Sequence, residues 1–166
     1  TLGAGSTFWL TVNLKVTGEQ CAVVPEPATS AEILIRQHYQ GYRILLVDDE
    51  PLNLEIAEFL MEESGLIVDT AKNGALAVRL AKEHNYALIL MDMQMPVLDG
   101  LEATQQIRAL PSYWNTPIVA MTANAFVEDK ALCLAAGMND FLIKPFDPEK
   151  LFSVLLKWFK RATAPL

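Results

Sequence analysis

The chain has 166 residues, enough for one domain or one domain with an appendage. Its 20 Asp and Glu outnumber its 13 Lys and Arg, for a formal net charge of -7, which argues against a chain-wide electrostatic grip on nucleic acid or anionic lipid. Hydrophobic residues make up 52%, too many for a disordered chain, yet no apolar run approaches the ~20 residues of a membrane span.

No secretory signal is visible, because the N-terminus lacks a basic region and a continuous apolar block. Cys21 and Cys133 make neither a metal spacing nor a disulfide framework. His38 and His84 are too few for most His-rich metal sites. A cytoplasmic protein is expected.

In chain order, residues 7–16 come first. Phe8, Leu10, Val12, Leu14 and Val16 alternate with Trp9, Thr11, Asn13 and Lys15, the period of a half-buried strand. One strand cannot fold alone, so this one belongs to a larger sheet. Residues 17–40, with Pro25, Pro27, Thr29 and Ser30, read as a linker.

Residues 41–161 then alternate short apolar runs with helical patterns. Arg43–Val47 is the first strand, ending in Asp48-Asp49. Leu52, Ile56, Leu60 and Met61 follow at helical spacing. Leu66–Val68 is the second run. Asn73 can cap a helix carrying Leu76, Leu80 and Ala81. Ala87–Met91 is the third run, ending at Asp92. Asp99, with Glu102 three residues on, has the pattern of a capping box.

Pro117–Met121 is the fourth run. The helix after it stops at Gly137, a good residue to follow a helix C-terminus. Phe141–Ile143 is the fifth run, and Asp147-Pro148 opens a last helix to about Lys160. Residues 162–166 read as a tail.

These are five βα units in about 120 residues. Near-continuous apolar strands mean burial on both faces, hence a parallel sheet between two helix layers. Right-handed crossovers leave few topologies. The expected fold is a flavodoxin-like (βα)5 three-layer sandwich with strand order 2-1-3-4-5.

Open sheets of this kind bind ligands at the C-terminal strand ends. There stand Asp48 and Asp49 after strand 1, Asp92 after strand 3, Thr122 after strand 4 and Lys144 after strand 5. Three close carboxylates repel, and a hard divalent cation relieves the repulsion. Mg²⁺ suits such a site, with Mn²⁺ as the second candidate. Lys144 offers a point charge and Thr122 a hydroxyl to a phosphoryl group. A carboxylate can be a phosphoryl nucleophile, and Asp92 is the best candidate.

At these residues a family resemblance appears. Leu-Val-Asp48-Asp49-Glu50-Pro, Met-Asp92-Met-Gln-Met-Pro96, Met-Thr122-Ala123 and Lys144-Pro145-Phe146 resemble, in order, the motifs of the receiver domain of two-component response regulators. The resemblance implies that Asp92 is the phosphoacceptor. It implies that Asp49, Asp92 and the backbone carbonyl of Gln94 ligate Mg²⁺, with Asp48 acting largely through water. Thr122, Lys144 and the backbone N–H of Ala123 would contact the phosphoryl group. The Lys144–Pro145 bond would be cis. Thr122 and Phe141 would form a switch that changes the face of the fourth helix, fifth strand and fifth helix of the alternation. Gln94 and Asn124 would tune hydrolysis of the acyl phosphate.

Leu2-Gly3-Ala-Gly5-Ser6-Thr7-Phe8-Trp9 resembles the last turn and strand of a histidine-kinase ATPase domain. ATPase end (1–16), linker (17–40) and receiver (41–161) is the order of a hybrid sensor histidine kinase. The resemblance implies a phosphohistidine donor, and as partner a histidine phosphotransfer domain or the parent kinase, with anchoring of that parent in the inner membrane left open by the sequence. Nucleic acid and direct membrane contact are not expected. Pro51 and Leu54 are the exposed apolar candidates on the docking face. A homodimer would use the switch face or the N-terminal strand.

Two alternatives stand beside this. An aspartyl-phosphate phosphohydrolase usually carries a second acid two residues after its nucleophile, and here that position is Gln94. A non-phosphorylated pseudo-receiver or cofactor binder would not need the intact acid–Asp–Thr–Lys set. Cys133, Trp114 and Trp158 read as packing residues. Glu62-Glu63 and Lys82-Glu83 read as solvated faces, His38 as a solvated linker residue and His84 as a helix end.

Overall fold

The computed structural model describes residues 30–123, 127–145 and 147–163. The expected strand over residues 7–16 and its resemblance to an ATPase domain lie outside the described residues.

The element order is α1 (Ser30–His38), β1 (Arg43–Val47), α2 (Pro51–Glu63), β2 (Ile67–Ala71), α3 (Gly74–Glu83), β3 (Leu88–Asp92), α4 (Gly100–Arg108), a 3₁₀ turn (Pro111–Tyr113), β4 (Ile118–Thr122), α5 (Val127–Ala136), β5 (Asp140–Ile143) and α6 (Pro148–Thr163). The five strands form one parallel sheet in the order β2-β1-β3-β4-β5, as the alternation predicts. The chain reverses direction across the sheet between β1 and β3, which opens a crevice at their C-terminal ends.

Because side chains alternate along a strand, the apolar runs feed two cores. Ile44 and Leu46 join Leu88, Leu90, Val119, Met121 and Leu142 on one face, under α1, α2 and α6. Leu45 and Val47 join Ile89, Met91, Ile118 and Ala120 on the other, under α3, α4 and α5. β3 is buried along its whole length. Each such Leu, Ile or Val contributes roughly 1.5–3 kcal/mol by leaving water.

The caps follow the sequence. Asn73 Oδ1 accepts from Leu76 N at 2.8 Å, Asp99 Oδ1 from Glu102 N at 2.8 Å and Asp147 Oδ1 from Lys150 N at 2.8 Å. Gly137, at φ +98°, ends α5, and Met138 N donates to Cys133 O at 2.9 Å.

Two segments differ from expectation. Ser30–His38, within the stretch read as a linker, is a helix whose Ala31 and Ile35 are buried in the first core. Tyr39 and Tyr42 continue that packing, with ring centroids 5.1 and 5.2 Å from Phe159 of α6. The second strand is Ile67–Ala71 rather than Leu66–Val68. Its polar half is held by Asp69, which accepts from Arg43 Nε at 2.7 Å and from Tyr86 OH at 2.7 Å.

Trp114 corrects the packing expectation, being 79% exposed. Trp158 packs against the first core and donates Nε1 to Asp140 Oδ2 at 2.9 Å. Cys133 is buried in the second core, its Sγ 3.3 Å from Met93 Sδ. His38, His84 and the Glu62-Glu63 and Lys82-Glu83 pairs are exposed. No helix among the described residues is long and apolar enough to cross a membrane.

Candidate functional site

Parallel register sets the site. Val47 pairs with Met91, so Asp48 and Asp92 emerge side by side from adjacent strands. Thr122 pairs with Ile143, and Lys144 N donates to Thr122 O at 2.7 Å, which continues the pairing past β5. Asp49, Asp92, Gln94, Thr122, Ala123 and Lys144 thus share one cleft of about 280 Å³, with Met93 in its wall.

Carboxylate oxygens of Asp48, Asp49 and Asp92 all lie within 4.8 Å of one another. Asp48 and Asp92 are 1% and 7% exposed, while Asp49 is exposed. This donor set fits a hard divalent cation: oxygen ligands, two of them held by the fold, and an open side for water. Asp48, Asp49 and Asp92 would hold it, and it would neutralise charge on a phosphoryl oxygen.

Lys144 ties the acids together. Its Nζ lies 2.5 Å from Asp48 Oδ2 and 2.6 Å from Asp92 Oδ2. Burial works against its charge, but the two carboxylates hold its pKa above the ordinary lysine value. Burial pushes Asp92 above the usual carboxylate range, although Lys144 and the N–H of Gln94, at 3.2 Å from Oδ1, pull the other way.

The loop after Asp92 is drawn tight against the site. Leu98 N donates to Pro96 O at 2.9 Å across Val97, a non-glycine residue at φ +74°. Gly100 N then donates to Met93 O at 3.1 Å, and a Cβ at Gly100 would sit 2.0 Å from Asp92 O. Only glycine lets α4 start so close to the backbone of Asp92.

The Lys144–Pro145 peptide bond is cis. Phe141 stands away from the cleft, half-buried on β5, with Lys130 Nζ 4.3 Å above its ring. Asn124 lies outside the described residues. On α2 the structure corrects the exposed apolar pair: Pro51 is exposed, but Leu54 packs against the first core. The exposed large apolar residues of α2 are Leu52 at 59%, Ile56 at 53% and Phe59 at 61%, one stripe along the helix.

Two polar residues escaped the sequence reading. Asn53 Nδ2 reaches both oxygens of Asp48, at 3.2 and 3.3 Å. Arg108 donates to Tyr113 O, Thr116 O, Gly137 O and Asn139 Oδ1, fastening α4 to the segments before β4 and β5. For Asn53 the available signal was an amide one helical turn past the acidic pair.

The family model of the response regulator receiver domain matches residues 44–156. The chain belongs to this family. It is thus a receiver domain of two-component signalling, related to those of hybrid sensor histidine kinases.

The sensor protein GacS of Pseudomonas syringae pv. syringae is 42% identical over 119 residues, which are 70% of this chain and 13% of GacS. Two-component system protein A of Emericella nidulans is 37% identical over 170 residues, 94% of this chain and 24% of that protein. The receiver domain thus spans less than a quarter of either relative. Among solved structures, the receiver domain of sensor histidine kinase PA1611 from Pseudomonas aeruginosa PAO1 is 44% identical with a TM-score of 0.68, covering 72% of this chain and 98% of that one. That structure has a magnesium ion coordinated in the active site cleft.

Proposed function

We propose that this receiver accepts a phosphoryl group from a phosphohistidine onto Asp92, with Mg²⁺ as cofactor. It then passes the group to a histidine phosphotransfer domain or regulates its parent kinase. The observation that carries this is Asp92 itself. Its carboxylate lies in the shared cleft, 2.6 Å from Lys144 Nζ, inside a cluster of three acids.

In the transfer, an Asp92 oxygen attacks phosphorus, a P–O bond forms and the P–N bond to the donor imidazole breaks. The imidazole leaves with its electron pair and takes up a proton. Lys144 and Thr122 face the transferred group, and Lys144 offsets its charge. Bound Mg²⁺ supplies charge neutralisation at the phosphoryl oxygens. Burial of Asp92 favours the reaction only with these cations present, because an isolated buried carboxylate prefers its proton.

The exposed stripe Leu52–Ile56–Phe59 supports a protein donor, since α2 begins three residues after Asp48 and the stripe leads away from the cleft. The similarity to the Emericella protein covers 94% of the chain and so extends beyond the residues that the receiver family model matches. A hybrid kinase parent, with residues 1–16 ending its ATPase domain, is the reading that fits.

The test is intact mass after incubation with Mg²⁺ and a small-molecule phosphodonor, beside Asp92→Asn and a metal-free sample. One added phosphoryl unit is expected in the wild type with metal only. No gain in any sample, repeated with a phosphohistidine donor, overturns the proposal.

A further inference from the structure

Asn53 is the third residue of α2, where a polar side chain commonly serves the helix end. It does not do so here. Glu50, at the N-cap, makes no side-chain cap bond, and the Asn53 amide turns back to Asp48 instead. Its Nδ2 lies between the two carboxylate oxygens, 3.2 Å from Oδ1 and 3.3 Å from Oδ2. Among the described residues, the other donors to Asp48 are the Glu50 N–H, at 3.0 Å from Oδ1, and Lys144 Nζ, at 2.5 Å from Oδ2.

Lys144 is shared. It also lies 2.6 Å from Asp92, and in the reading proposed above it turns to the phosphoryl group that arrives there. Asp48 is then left, 1% exposed, with the Glu50 N–H and Asn53. A buried carboxylate without donors is costly and free to rotate. An amide differs from a cation at this position. It fixes the carboxylate without cancelling the charge that a metal ion needs.

Resting on that reading, we infer that Asn53 is a positioning residue for the phosphoryl-transfer site: it holds the Asp48 carboxylate aimed into the acidic cluster, and so sets Mg²⁺ affinity without touching the ion. Outer partners of metal ligands commonly govern affinity by about 10- to 100-fold.

The experiment is calorimetric titration of the full chain with Mg²⁺ for wild type, Asn53→Leu, Asn53→Ala and Asn53→Gln, with Tm measured in EDTA. Loss of the amide in the Leu and Ala variants is expected to weaken Mg²⁺ binding about tenfold or more, at a Tm in EDTA close to wild type. Asn53→Gln, which keeps the donor, is expected to recover most of the affinity. Leu and Ala variants that bind as tightly as wild type overturn the inference and leave the functional reading standing. So does weakened binding that Gln does not recover or that comes with a lowered Tm in EDTA, which marks a structural role. The Ala variant decides if the Leu variant does not fold. A wild type that binds no Mg²⁺ overturns the functional reading and this inference with it.

Discussion

At Gly100 the site leaves no room for a methyl group. An added Cβ would lie 2.0 Å from Asp92 O and 2.9 Å from Asp92 C, and backbone cannot move aside as a long side chain can. Gly100→Ala is therefore expected to cost about 1–3 kcal/mol by overpacking, read by urea unfolding, and to weaken Mg²⁺ binding in the same protein by shifting Asp92. Asp48, Asp49, Asp92, Thr122 and Lys144 were legible in the sequence for a simple reason. Each follows an apolar run, and strand ends of a parallel sheet share one edge. Asn53 and Arg108 were not legible, because their meaning lies in partners. Arg108 contacts Gly137 and Asn139 about thirty residues away, and nothing in its local pattern names them.

Among the elements, α1 departs most from its sequence signal. Its nine residues include Ala31, Ile33, Leu34 and Ile35, but they directly follow the Pro-containing stretch, and that stretch carries the linker signal. Tertiary packing overrides this: Ile35 is fully buried against the first core, and Arg36 Nη2 donates to Glu63 O at 2.9 Å. Ile35→Ala is expected to destabilise the receiver by about 2–5 kcal/mol in urea unfolding, as a core truncation does. A residue in a flexible linker would cost almost nothing. The α2 stripe shows the converse. Helical spacing gave an apolar pattern through Leu52 and Ile56, but that pattern belongs to two faces: Ala57, Met61 and Leu54 face the core, while Leu52, Ile56 and Phe59 face outward. Periodicity marks the helix and leaves open which stripe the sheet covers.

For the whole molecule, acid stability draws on ion pairs far from the cleft. Hydrogen bonding from Arg43, against some burial and with help from Tyr86, holds Asp69 below the usual carboxylate range. Asp140 is also held low, its partial burial outweighed by Lys157 and Trp158. A depressed folded-state pKa stabilises the fold above the unfolded value of about 3.9 and ceases to do so as pH falls through the folded value. Asp69→Asn is therefore expected to lower Tm at pH 7, with the gap to wild type shrinking as pH drops below about 4, in thermal scans from pH 7 to pH 2. The sequence by itself determined five βα units, a parallel sheet, and the acids, Thr122 and Lys144 at one edge. Apolar period and caps are local rules that suffice for that much, while crossover handedness left a few topologies, of which the order β2-β1-β3-β4-β5 was the expected one and is the one the strand pairing shows. Only the tertiary structure decided that α1 joins the first core, which stripe of α2 stays outside, and that Asn53 and Lys144 divide Asp48 between them. Those outcomes depend on which surfaces meet across the sheet, and distance in space is not written in distance along the chain.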